Sequence, residues 1–521
     1  MLGLGDVAMS LFARLSLGLL FLSVVAVSKP AAAAWYEART EHFIIYADQK
    51  PEELREFAQR LERFDRSVRA VRRMKDPPLS DSNRLTIFVL NDLYEIEKLA
   101  GGYGVAGFYI PSASGSVAFV PERAGSKKQK WDLDAEAIFF HEYAHHLQLQ
   151  QSDLALPSWV TEGFAEFFGP TELRDDGSVV LGAMPTYRAN GLFNYSDLSI
   201  EEMLGADTKI DGLEFALIYG RGWLLTHYLT FSRSRRGQFD RYVKQIQEGV
   251  APIEAARVAF GDLSRLNKEL YGYLRQKKLP SLILSSKQLR IGAIDIRRLA
   301  EGEDAMMGVF VRTRRGATSK TARNIESNAR KIAGRYPGEP FVQTALAEAE
   351  LDAGNFEAAE AAADRALAAE PNRLEALLLK GRALMELARR SPAGADWGEI
   401  RKWFAKANKI DPEAAEPLLL FYKTFVYAGV RPTANAMDGL LYSLALAPQD
   451  EKLRMTVVRQ LLGDGRTQDA RRYFAPFAFE PHYNKKRREA SAKTMAALTS
   501  GNQSEALTQL GKLEELILKD E

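Results

Sequence analysis

The sequence predicts an α+β domain followed by an all-α helical repeat, and three observations carry that prediction. Short runs of β-branched and aromatic residues alternate with amphipathic stretches over the first part of the chain. From Asp132 onward the pattern turns helical and stays so for most of the length. Beyond about Gly302, prolines recur at Pro337, Pro371, Pro412, Pro448 and Pro481, at intervals of 34, 41, 36 and 33 residues. A chain of 521 residues is too long for one core, so two or more domains are expected.

The elements follow in order. Glu41 to Tyr46 reads as a strand, Glu52 to Met74 as an amphipathic helix rich in Arg and Glu, and Leu85 to Leu90 as a second strand. Asn91-Asp92 can cap a helix reaching Leu99. Gly107–Ile110 and Ser116–Val120 suit the arms of a hairpin. The layout predicts a small mixed sheet with helices packed on one side.

Composition excludes several classes of function. Apolar residues at 46% and charged residues at 26% rule out wholesale disorder. The formal charge of +2 points to no class of partner. Two basic runs, Arg233–Arg236 and Lys485–Arg488, lack the interleaved aromatics of a single-strand binder. They read as solvated faces, and nucleic acid is not an expected partner. There is no cysteine. Disulfides, thiol nucleophiles, cysteine-held zinc and an N-terminal lipid anchor are therefore excluded, and any metal must be held by His, Asp or Glu.

At the N-terminus, Arg14 precedes the apolar run Leu15 to Val27, then Ser28-Lys29-Pro30 and the alanines Ala31 to Ala34. That is the pattern of a secretory signal peptide over residues 1–34, cleaved near Ala33 or Ala34. The apolar run is shorter than the ~20 residues that span a bilayer. The expectation is an exported chain, periplasmic or secreted, with no stable membrane span after cleavage.

The chemistry sits where the helices begin. One helix is expected over Asp132 to Gln150, and it contains His141-Glu142-Tyr143-Ala144-His145. At 100° per residue, positions i and i+4 share a face, so the two imidazoles can grip one Zn²⁺. Glu142 is placed to act as general base on water at that metal. For this composition, chance gives roughly 0.005 occurrences of H-E-x-x-H in the chain. His146, about 100° away around the helix, reads as a packing or surface residue. A catalytic zinc needs a third protein ligand and an open position. The next helical stretch, opening at Pro157, places Glu162 and Glu166 on one face among Trp159, Val160, Phe164, Phe167 and Phe168. Carboxylates in so apolar a helix need partners, and a buried cation meets that need.

These two segments, HEYAHH and WVTEGFAEFF, resemble the gluzincin peptidases, the thermolysin-like zincins in which H-E-x-x-H is followed by a glutamate ligand. In appearance they are similar to thermolysin-like domains of secreted bacterial proteins that are often joined to tetratricopeptide repeats. The resemblance spans roughly residues 36–277 and implies a helical zincin-type catalytic domain. It implies Glu162 as third ligand and Glu166 as the hydrogen-bond partner that orients His141. Thr161 stands where the family usually has asparagine, and the G-x-M-x-N signature of gluzincin aminopeptidases is absent. Tyr219 lies 57 residues after Glu162, an interval similar to that at which related enzymes place an oxyanion donor; His227 and Tyr228 compete for the role.

The repeat half has one clear unit, in which Leu346, Ala347, Gly354, Asn355, Ala359, Ala363, Ala366 and Pro371 fall at tetratricopeptide-like positions. An insertion at Arg389 to Trp397 accounts for the long interval. The expected organisation is a signal peptide over 1–34, a metallopeptidase-like domain over 35–277, a linker or hairpin over 278–301, and the repeats over 302–521. Two functions follow as expectations. One is an exported zinc peptidase acting on a peptide or protein substrate. The other is a non-enzymatic scaffold whose repeats bind a protein partner and whose peptidase-like domain is structural or regulatory. The same zinc chemistry would also serve an amidase acting on a cell-wall peptide.

Overall fold

Apolar side chains run almost without interruption through Phe43–Ala47 and Leu85–Leu90, so both strands can bury side chains on two faces. The computed structural model describes residues 34–519, apart from 104, 124–134, 151–155, 194–197, 206–211, 479 and 481–482. The expected signal peptide, Ala34 excepted, lies outside the described residues, as do Asp132 and Pro481.

The first half contains β1 (Tyr36–Arg39), β2 (Phe43–Ala47), α1 (Pro51–Arg72), β3 (Leu85–Asp92), α2 (Leu93–Ala100), β4 (Phe108–Ile110) and β5 (Val117–Arg123). Helices α3 (Ala135–Leu149) and α4 (Ser158–Phe168) follow, then β6 (Glu172–Leu173), β7 (Val179–Leu181), α5 (Ala189–Phe193), α6 (Ile200–Gly205) and α7 (Gly212–Phe231). Helices α8 (Gln238–Gln247), α9 (Pro252–Phe260) and α10 (Leu263–Leu274) precede β8 (Leu282–Leu284) and β9 (Asp295–Arg298). The main sheet is mixed, with strand order β4-β5-β3-β2-β1-β9. Strands β2, β3 and β5 run parallel, joined by the α1 and α2 crossovers, while β1, β4 and β9 are antiparallel to their neighbours.

The second half is all helical. Helices α11 (Glu301–Arg315) and α12 (Ala322–Ala333), α13 (Pro340–Asp352) and α14 (Phe356–Ala369), and α15 (Leu374–Arg390) and α16 (Trp397–Ile410) form successive hairpins. They are followed by α17 (Ala415–Tyr427) with α18 (Ala434–Leu446), α19 (Glu451–Gly463) with α20 (Thr467–Phe474), and α21 (Lys485–Ser500) with α22 (Gln503–Lys519). Pro337, Pro371, Pro412 and Pro448 each fall between hairpins, where a missing N–H does no damage. Within the clear unit, Ala345, Ala349, Ala359 and Ala363 are buried, so α13 and α14 approach closely. The expected insertion is the long α15–α16 connection.

Three expectations need correcting. The sheet is covered on both faces. Phe43, Ile45, Ile87 and Val89 face α1 and α3, while Ile44, Tyr46, Phe88 and Phe119 pack against Met307 and Val311 of α11. The first repeat helix thus serves as the second layer of the α+β half, which a one-sided layout leaves out. The segment 278–301 is not a hairpin. Strand β8 pairs with β7 in a separate three-stranded sheet, and β9 pairs with β1 to complete the main sheet. Arg235, expected on a solvated face, is buried and donates to Glu269 and to the Phe260 carbonyl. Among the described residues no helix is long and apolar enough to cross a membrane.

Beneath α3 lies a buried charge cluster. His42 Nδ1 is 2.9 Å from Glu62 Oε2 and its Nε2 is 2.8 Å from Asp76 Oδ1. Arg69 donates to Asp65 at 2.7 Å, and Tyr143 of α3 donates to the same carboxylate at 2.8 Å. Burial opposes a charge on His42, yet the bond to Glu62, the charges of Asp65 and Glu62 and the bond to Asp76 outweigh it and raise the imidazole to about 9. That value stands above the unfolded-state pKa of about 6.5, so the contribution is complete below about pH 6.5 and is lost as pH rises through about 9. Urea unfolding at pH 6 and pH 10 should show the stability gap between wild type and His42→Gln narrow by on the order of 3 kcal/mol at the higher pH. A gap that stays constant across that range would contradict a charged His42.

Candidate metal centre

Helix α3 is seated by its apolar face. Phe140 stacks on Phe64 of α1 with ring centroids 3.9 Å apart, and Ala144 and Leu147 are fully buried. With that face fixed, His141 and His145 project toward α4. Helix α4 in turn meets α7 backbone to backbone. A Cβ added at Gly163 would lie 2.5 Å from the Gly222 carbonyl oxygen and 2.5 Å from Thr226 Oγ1, and one added at Gly222 would lie 2.8 Å from the Trp159 carbonyl oxygen. Only glycine allows this approach, and it carries Glu162 and Tyr219 to the histidines together.

Three ligand atoms converge there. His141 Nε2 and His145 Nε2 are 3.1 Å apart, and Glu162 Oε2 lies 3.2 Å from the first and 3.7 Å from the second. Ligand atoms on a zinc tetrahedron with bonds of 2.0–2.1 Å stand about 3.3–3.4 Å apart, so the residues present fit the ion. Glu162 is fully buried and the two histidines nearly so. Glu142 and His145 line a cavity of about 430 Å³, which leaves the open side a catalytic site requires. Among the described residues, two other groups of His and carboxylate oxygens form around His42. There Arg66 and Arg69 already sit against Asp76 and Asp65, so the positive charge is supplied by the chain itself.

Glu166 is also fully buried. Its Oε1 stands 3.5 Å from His141 Nδ1, and it accepts hydrogen bonds from Tyr187 at 2.9 Å and from Arg188 Nε at 2.8 Å. The Arg188 guanidinium covers the Tyr219 ring at 4.3 Å, and that ring lies against His141 with centroids 5.9 Å apart. Sequence reasoning did not single out Tyr187 or Arg188. They sit in a turn ahead of α5, and no spacing relates them to the motif helices.

Of the competing donors, Tyr219 alone stands at the histidines. His227 is fully buried elsewhere, with Nε2 3.0 Å from the Gly182 carbonyl oxygen and Nδ1 2.9 Å from Tyr273 Oη. Tyr228 donates to Glu269 at 2.9 Å. His146 is a packing residue, stacked on Tyr143 and 2.8 Å from the Tyr109 hydroxyl. Burial, aided by the charge of Arg69, pushes it down to about 3, so it stays neutral.

The carboxylates of the centre dominate its electrostatics. Burial works against a charged His141, but Glu162, Glu166 and Glu142 overcome it and raise the imidazole to about 9. Burial first, then the charge of Glu162, drives the Tyr219 phenol far above its usual range, so it stays protonated and able to donate. Replacing Gly163 by alanine should cost about 1–3 kcal/mol of stability through overpacking and displace Glu162. Thermal unfolding and zinc titration of Gly163→Ala check this against Gly272→Ala, where the added Cβ meets nothing within 4 Å. Equal behaviour of the two variants would refute the close-approach argument.

Residues 135–253, which span both motif helices and α7, match the model of a family described as a protein of unknown function, DUF1570. The match covers well under half of the chain. No curated protein matches. Among solved structures, the chain is similar to a thermophilic TPR protein of Thermus thermophilus, at 16% identity over 38% of this chain and 97% of that one, with a TM-score of 0.30. It is also similar to pilF of Pseudomonas aeruginosa, at 18% identity over 42% of this chain and 92% of that one, with a TM-score of 0.32. At such scores the repeat assignment rests on the observed hairpins themselves. None of these likenesses names a gluzincin peptidase, and that resemblance stands on the motif helices alone.

Proposed function

We propose that this chain is a helical-repeat scaffold that carries a zinc-dependent hydrolase acting on peptide bonds. The scaffold reading is supported by the successive helical hairpins from α11 to α22. The hydrolase is supported above all by the convergence of His141 Nε2, His145 Nε2 and Glu162 Oε2 within 3.7 Å of one another, with Glu142 and His145 lining one cavity. Zn²⁺ held by these residues would polarise a carbonyl and lower the pKa of water. Glu142 takes a proton from the attacking water and returns it to the departing amine. Tyr219, kept protonated by its surroundings, donates to the oxyanion. Glu166, tied to Tyr187 and Arg188, holds the Nδ1 side of His141. Among the described residues β4 is an edge strand, and such an edge can pair with an extended peptide. The N-terminal segment read as a signal peptide puts this chemistry in the periplasm or outside the cell.

A second reading, a partner-binding scaffold with a structural or regulatory peptidase-like half, is favoured by a different observation. A groove of about 580 Å³ runs beside the contact of the sheet with the repeat, lined by Tyr46 and Thr86 of the sheet and by Arg314, Glu348, Arg382 and Glu416 of the repeat helices. Stacked helical repeats use such concave surfaces to bind peptides and proteins. The two readings share the scaffold and differ on turnover.

Elemental analysis and hydrolysis of a mixed peptide library separate them. Wild type should hold one zinc per chain, Glu162→Ala should hold it weakly, and Glu142→Ala should keep zinc while losing about 10²–10⁴-fold in turnover. Absence of zinc under replete conditions, or turnover unchanged in Glu142→Ala, would overturn the hydrolase and leave the scaffold.

A further inference from the structure

The cavity beside Glu142 and His145 has a second wall, and that wall belongs to the repeat half. Pro476 and Phe477, which follow α20, line it together with Leu149 of α3 and Leu156 ahead of α4. The wall is bonded to the site. Ala113, in the β4–β5 turn, donates its N–H to Asp450 Oδ2 at 2.7 Å, and Gln449 donates to Ser116 Oγ at 3.0 Å. Ser116 accepts in turn from the Tyr109 hydroxyl at 3.3 Å, and that hydroxyl lies 2.8 Å from His146 Nδ1 on the motif helix. A hydrogen-bonded chain therefore runs from the repeat, through the hairpin, to the residue following the second histidine.

We infer that the repeat half builds the specificity pocket of the site, and that the pocket receives a bulky apolar side chain of an extended peptide beside the bond to be cut. This rests on the hydrolase reading above. Its volume, about 430 Å³, is that of a small-ligand site and suits one large side chain with its flanking backbone. The apolar lining carries the selection. Glu451 is engaged by the Tyr483 hydroxyl, and Arg487 donates to the carbonyls of Leu516 and Ile517, so these two charged side chains on the repeat wall serve the repeat's own structure. The cavity is continuous with Glu142 and His145, which fixes the side chain's position next to the reacting bond.

The test uses full-length protein and two labelled peptides that differ at one central position, Phe or Ser. Fluorescence anisotropy on the Glu142→Ala background reads binding without cleavage, and cleavage ratios on the wild-type background read turnover. Binding should favour the Phe peptide at least tenfold, with the preference shrinking to about twofold in Phe477→Ala and returning in Phe477→Leu. Leu149→Ser, on the α3 part of the lining and partly exposed, gives the same readout should Phe477→Ala fail to fold. A preference unchanged in both Phe477→Ala and Leu149→Ser, or no peptide binding at all, overturns the pocket. Cleavage that depends on Glu142 with that unchanged preference leaves the hydrolase standing without it. Selective binding lost in the variants, with no cleavage by wild type, sustains the pocket and sinks the hydrolase.

Discussion

Helices α4 and α7 touch at Gly163 and Gly222, and the geometry of the candidate centre depends on that contact. A larger residue at either position would drive the helices apart, since the nearest backbone oxygens stand under 3 Å from where a Cβ would go. Glu162 precedes Gly163, and Tyr219 lies nearly one turn before Gly222, so a single close approach sets both side chains against the histidines. The opposite side is set independently by α3, through the Phe140–Phe64 stack and the Tyr143–Asp65 bond. Two rigid seatings meet at one point, which is how a site gains a fixed shape from elements far apart in sequence.

The same point concentrates buried charge. Glu162 and Glu166 are both fully buried within an apolar helix, where an ionised carboxylate is costly unless positive or donating groups offset it. For Glu166 the offset is visible in Tyr187 and Arg188. Glu162 faces the two imidazoles, and their pull is mutual, since its charge contributes to the rise of His141 to about 9. A divalent cation in that position would take the place of the proton that His141 otherwise holds, which is the usual exchange between proton and metal at imidazole ligands.

Much of this was legible because the signals were local. The H-E-x-x-H spacing obeys helical periodicity within one turn, Glu162 and Glu166 stand out against their apolar neighbours, and the prolines mark hairpin boundaries one by one. What escaped was long-range. Arg188 reaches Glu166 from a turn with no periodic relation to α4, and β8 and β9 are too short to announce that they belong to different sheets. The one-sided layout failed for a readable reason. Ile44, Tyr46, Phe88 and Leu90 leave no polar face on β2 and β3, and an apolar face of that size demands a cover, which α11 provides. The docking of Gln449 and Asp450 on the β4–β5 turn joins residues more than 330 positions apart, and no local pattern encodes it.

These contacts bear on what the repeat half is for. A repeat tethered only to recruit a partner could hang from a linker, with its first helix capped by polar residues. Here α11 fills the second face of the sheet, Asp304 accepts from the Trp35 N–H, and Arg315 donates to the Leu99 carbonyl. The far end of the same repeat closes over the cavity at Glu142. The sheet and the cleft are therefore completed by opposite ends of one helical array. Strain introduced along that array has two attachments through which to reach α3 and α4, so the repeat and the candidate site are mechanically one object even where their chemistry differs.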